Sequence, residues 1–139
     1  MEIADVRKRI YSTIERAKQR ADERRGRGDE AARAYSTFLD TIAVPLFRQV
    51  ANVLKSEGYM FTVFTPSGSV RLMSDRTAED FVELTLDTTG DAPHVVGHTS
   101  HSRGRRVTEN ERPIGSPDAL TEADVLDFLV KELEAFVER

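Results

Sequence analysis

Apolar residues in the first 25 positions recur at spacings of three and four: Ile3, Val6, Ile10, Ile14, Ala17 and Ala21. That spacing gathers them on one face of a helix and leaves the charges on the others, which predicts an amphipathic helix over 2–25. The stripe thins from Ile to Ala, and Gly26 and Gly28 are read as its end. Asp29 is the expected N-cap of a second helix, in which Ala31, Tyr35, Phe38, Ile42, Leu46, Val50, Val53 and Leu54 continue the period up to Gly58. Pro45 lies inside that pattern. It removes a ladder hydrogen bond and clashes with the preceding turn, so a kink or break is expected near Val44.

From Tyr59 the period changes. Tyr59–Thr65 is rich in aromatic and β-branched residues and apolar at both alternating positions, the pattern of a well-buried strand. Pro66, Ser67 and Gly68 turn the chain into Val70–Ser74, where Val70 and Leu72 alternate with Arg71 and Met73. Asp80–Thr88 alternates more cleanly, with Val82, Leu84 and Leu86 on one face and Glu83, Thr85 and Asp87 on a solvated one. A turn over 89–93 leads to His94–Ser102 and, across Arg103 and Gly104, to Arg105–Pro113. These two are read as a peripheral, polar hairpin because Val95, Val96, Val107 and the nearby Ile114 are almost their only apolar residues.

Beyond Pro113 and Pro117, Thr121 and Asp124 stand three apart as an approximate capping box. Glu122, Asp124 and Asp127 suit the positive end of the helix that follows. Its apolar positions Val125, Leu126, Phe128, Leu129, Val130, Leu133, Phe136 and Val137 exceed one stripe, so burial on more than one side is expected, against another helix or a second subunit. The fold class expected is α+β: two N-terminal helices, an antiparallel meander of four to five strands centred on Tyr59–Thr65, and a C-terminal helix on the sheet. The 139 residues suit one domain, with 1–28 as a basic amphipathic helix that packs on helix 2, projects, or enters a dimer interface.

Composition narrows the chemistry. The absence of Cys excludes disulfides, thiolate metal sites and cysteine nucleophiles. No apolar run reaches the ~20 residues of a membrane span and no signal-peptide pattern follows Met1, so a cytoplasmic protein without a membrane partner is expected. The formal charge of -4 conceals opposite ends: 1–28 carries nine basic against five acidic residues, and 117–139 seven acidic against Lys131 and Arg139. Such ends pair within a protomer, pair between protomers, or leave the basic segment to an anionic partner.

No Walker loop, GxGxxG pattern or nucleophile elbow occurs, and Asp87-Thr88-Thr89-Gly90 departs from the aspartic-protease signature by an extra Thr. His94, His98 and His101 fall within eight residues. On a strand His94 and His98 share a face but stand ~13 Å apart, while His101 points the other way. No metal and no cofactor is therefore expected, and no residue is assigned as catalytic. A Ser–His–carboxylate set drawn from Ser100 or Ser102 with His98 or His101 carries no distinguishing motif. For a small ligand bound between sheet and helices, the candidate residues are His94, His98, Arg105 and Glu109. For an anion they are Arg103, Arg105 and Arg106 at the hairpin tip, with Arg112 nearby, since guanidinium forks match phosphate oxygens.

Three classes of function follow from this reading. The leading one is a non-enzymatic protein–protein interaction or assembly protein, a homodimer, consistent with the wide apolar C-terminal helix, the amphipathic first helix and the opposite charges of the ends. The second is a ligand-binding or enzymatic domain. The third is nucleic-acid association through helix 1 and the 103–106 tip. The acidic overall balance and the lack of aromatic residues among those arginines weigh against it.

Overall fold

The chain's longest element ignores its glycines. In a computed structural model, which describes residues 1–90 and 92–138, helix α1 runs unbroken from Ile3 to Phe38. Asp91, inside the expected turn over 89–93, and Arg139, counted in the C-terminal charge, lie outside the described residues. Gly26 and Gly28 are not among the described glycines with positive φ. Each costs about 1 kcal/mol against alanine in a helix. Strong helix formers surround them, so propagation through the pair costs less than nucleating a second helix. Asp29 consequently sits inside the helix and caps nothing.

The break expected near Val44 takes the form of a π-helical turn, Leu39–Ala43, before α2, Val44–Ser56. The Val44 amide bonds the Leu39 carbonyl, five residues back. Pro45 falls in the first turn of α2, where a missing N–H is tolerated. The two expected N-terminal helices are thus joined end to end.

Five strands follow: β1 Phe61–Phe64, β2 Val70–Ser74, β3 Phe81–Asp87, β4 His94–Arg103 and β5 Arg106–Gly115, antiparallel in the order β1-β2-β3-β4-β5. The β1–β2 hairpin closes with a bond from Ser69 N–H to the Pro66 carbonyl, and Gly68 supplies the positive φ of the turn. Helix α3, Glu122–Val137, completes the chain. Its capping box is formed: Thr121 Oγ1 accepts from the Asp124 amide at 3.2 Å and Asp124 Oδ2 from the Thr121 amide at 3.0 Å.

Two expectations about the sheet are corrected. Tyr59–Thr65 is not its buried centre: β1 is an edge strand whose residues alternate between half-buried and exposed, because aromatic and β-branched content favours strand conformation without specifying a place in the sheet. The centre is β3. Nor are β4 and β5 equally peripheral. β5 is the exposed edge, whereas β4 is an inner strand with Val95, Gly97, Thr99 and Ser100 buried. Its small side chains make room for a large one, since a Cβ on Gly97 would stand 2.3 Å from Phe128 Cζ.

Strand register sets the two faces. Val70, Leu72, Val82, Leu84 and Val95 form the inner face and pack with Phe47 of α2 and Leu129 of α3 in one apolar cluster. Arg71, Phe81, Glu83 and His98 fall on the outer face, where Phe64 and Val107 remain exposed. Helix α3 lies along β4, with Phe128 over Gly97 and Phe136 against His101, and just before the helix Leu120 stands over Gly115 at the end of β5. The Tyr59 hydroxyl, just after α2, reaches the Val137 carbonyl at 3.4 Å, so α2 and α3 finish at the same end of the sheet. Tyr35 fixes the other end, its hydroxyl 2.9 Å from the Gly68 carbonyl and 3.2 Å from that of Leu84. Helix α1 enters there and reaches outward.

Candidate interaction surfaces

A seven-residue period runs the length of α1. Ile14, Ala21, Gly28 and Tyr35 follow one line, and Ile3, Ile10, Ala17, Arg24, Ala31 and Phe38 the line beside it. The lower part of this seam is covered within the chain. Tyr35 and Phe38 are buried and Ala21, Gly28 and Ala31 half-buried, and helix residues 21–32 line a cleft with Thr88, Thr89, Gly90 and Pro93 at the β3–β4 connection. The upper part is bare. All residues from 1 to 20 are exposed, including Ile3 at 80%, Ile10 at 56% and Ile14 at 46%. At 1.5 Å per residue the bare segment 3–20 projects about 27 Å. Helical geometry puts Arg9, Arg16 and Arg20 along one side of its apolar stripe and Arg7 and Lys18 along the other.

A second bare stripe lies on α3. Its inner side buries Val125, Phe128, Leu129, Leu133 and Phe136. About a quarter turn away Leu126 (40% exposed), Val130 (57%) and Val137 (37%) face outward, beside Asp127, Glu134 and Glu138. Within the chain, therefore, this helix is buried on one side only, and the second apolar side expected for it is uncovered.

The outer sheet face carries a polar array across β2–β5. Arg71 Nε donates to Glu83 Oε2 at 2.8 Å, its guanidinium stands 4.0 Å from the Phe81 ring centroid, and the His98 ring meets Phe81 edge-on at 5.2 Å. His98 Nε2 lies 3.4 Å from Glu109 Oε1. Glu83, Arg71 and Phe81 were not singled out from sequence. The signal was there in the alternation, which puts Arg71 and Glu83 on the polar face, but only the β2–β3 register sets them side by side. Cation and carboxylate neutralise each other there. The array is a closed cross-strand network that holds an otherwise open face.

Of the ligand candidates, His98 and Glu109 are brought together. His94 is not with them: four strand positions away, its Nε2 stands 3.7 Å from Asp87 Oδ2 and its Nδ1 3.0 Å from the Ala92 carbonyl. Asp87 is held below its ordinary pKa by the hydroxyl and amide of Thr89 and by the attraction of His94. Arg105 sits in the β4–β5 turn, five or more positions from His98. The ring of His101 lies on the helix side against Phe136, opposite to His94 and His98. Among the described residues no group of three or more His, Asp or Glu side chains is placed to hold a metal ion. Ser100 is buried, and the partner within reach of the His98 ring is Glu109 rather than a serine hydroxyl.

Arg103, Arg105 and Arg106 cluster at the exposed β4–β5 tip. Arg112 does not join them; it turns to the helix side, 5.1 Å from the Phe128 ring and 3.1 Å from Glu132 of α3. The tip and the base of the α1 arm stand at opposite ends of β4, a ten-residue strand of about 30 Å, so the two basic features do not merge. No helix among the described residues is long and apolar enough to cross a membrane. Compared with known proteins, the chain matches no family model, no curated protein and no solved structure.

Proposed function

We propose that the protein is a non-enzymatic assembly module of the cytoplasm that self-associates, as a homodimer, through the projecting half of α1. One observation carries the reading: residues 3–20 form a helix with an ordered apolar stripe, and every residue of that segment is exposed. An isolated helix of that length is marginal in water, and a regular apolar face is what a helix needs when a partner covers it. The stripe continues a seam that is buried at Tyr35 and Phe38, so the covering surface would extend a packing mode already in use. The ligand-binding reading finds less support, because His94 and Arg105 stand apart from His98 and Glu109. Separation of the arm from the arginine tip weakens the nucleic-acid reading in the same way.

Burying an isoleucine contributes roughly 1.5–3 kcal/mol, and about 1.4 kcal/mol is tenfold in affinity. Ile10→Asp is therefore expected to weaken association by roughly 10- to 100-fold or more while leaving the folded body intact by circular dichroism. Light scattering on eluted protein checks this: the parent elutes at twice its 15.6 kDa mass at tens of micromolar, and the variant shifts toward monomer. A parent that stays monomeric at 100 µM refutes the reading.

A further inference from the structure

We infer that the surface covering the arm is the outer stripe of α3 in a second copy of the chain, so that two copies exchange arms reciprocally. The inference rests on the self-association reading and names its contact. Four features of the molecule support it.

The first is direction. Helix α1 reaches out from the end of the sheet at which α3 begins, and both helices run toward the far end. A rigid arm cannot turn back onto its own α3. In a two-fold pair with these ends facing, each arm runs antiparallel along the partner's α3, and the same contact is made twice.

The second is length. The bare arm has 18 residues and α3 has 16, about 27 and 24 Å. The third is the pattern. Going down the arm the exposed apolar positions include Ile14, Ile10 and Ile3, and going along the outer side of α3 they are Leu126, Val130 and Val137. Set antiparallel with Ile14 opposite Leu126, Ile10 falls level with Val130 and Ile3 with Val137.

The fourth is charge. Basic side chains flank the arm's stripe on both sides, which opposes pairing of one arm with another. The α3 stripe is edged by acids, the segment 122–138 holding six against Lys131. In the antiparallel setting Lys18 comes level with Glu122, and Arg7 falls one position from Glu134. Matched potentials of this kind select a partner and its register.

Absence of cysteine makes the test clean. Ile10→Cys and Val130→Cys are made in separate intact chains, one carrying a mass tag, then mixed at tens of micromolar under mild oxidation and resolved on a non-reducing gel. The inference expects the mixed Ile10→Cys/Val130→Cys disulfide at least tenfold above that from Ser12→Cys, on the back of the arm, with Val130→Cys. A dominant Ile10→Cys homodimer, in a parent that light scattering finds dimeric, overturns this contact and leaves self-association standing. Equal cross-linking from Ser12→Cys overturns the contact as well. A parent that scatters as a monomer removes both.

Discussion

Gly97 places a constraint on β4 that no pattern of polar and apolar residues announces. It has no need of a left-handed backbone; its role is the space occupied by the Phe128 ring. Gly97→Ala is expected to destabilise the fold by about 1–3 kcal/mol, the usual cost of overpacking, with partial recovery when Phe128→Leu is added. Urea unfolding of the two variants measures it, and an unchanged midpoint contradicts the assigned packing. Tyr35 is a second such residue. Burial, and then the charge of Glu83, push its phenol well above the ordinary value of 10.0, so the fold favours the neutral form. That contribution is complete below pH 10 and falls as pH rises beyond it, because the unfolded chain ionises there first. Tyr35→Phe loses the bonds to Gly68 and Leu84, about 1 kcal/mol at neutral pH. The stability gap between parent and variant is expected to narrow above pH 10, and a gap that does not change with pH contradicts the account. Both side chains were visible in the sequence only as members of a pattern, since the contact that gives each its role joins it to an element far away in the chain.

At the scale of elements, alternation was the most legible signal. Val70 and Leu72, with Val82, Leu84 and Leu86, occupy the face read for them, because a period of two admits one way in and one way out. The capping box at Thr121 was legible for a similar reason, being entirely local. Thr121→Ala is expected to cost about 1 kcal/mol. The two Thr121 hydrogen bonds, through its backbone and then its side chain, hold Asp124 below its ordinary pKa, so its support for α3 is present above the carboxylate range and lost as pH falls through the depressed value. Asp124→Asn removes that acid dependence. Glycine misled where order in the sheet misled: Gly26 and Gly28 resemble a stop, and the aromatic run Tyr59–Thr65 resembles a centre, but continuation of a helix and position in a sheet are set by neighbours beyond the local window. A Cβ at either glycine meets nothing within 4 Å. Gly26→Ala and Gly28→Ala are therefore each expected to stabilise α1 by about 0.5–1 kcal/mol, seen as a rise in thermal midpoint. A fall would show that the glycines serve a bend.

The whole molecule is asymmetric in its needs. Around the sheet, α2, α3 and the base of α1 satisfy one another, while the arm and the outer stripe of α3 leave ordered apolar rows in water, edged by opposite charge. The amphipathic first helix and the over-wide apolar last helix were both evident from sequence. What was not evident was that they cannot meet within one chain, since that depends on α1 continuing α2 without a turn. Salt follows from the same picture: raising it from 0.05 to 0.5 M is expected to weaken association through screening of the rim charges, without unfolding the body. The most direct test of the central claim is hydrogen exchange on the intact chain at low and high protein concentration. In a monomer the amides of 3–20 belong to a marginal helix and exchange quickly. The account predicts that at tens to hundreds of micromolar they become protected, in step with the amides of 122–138; fast exchange throughout 3–20 at every concentration would contradict it.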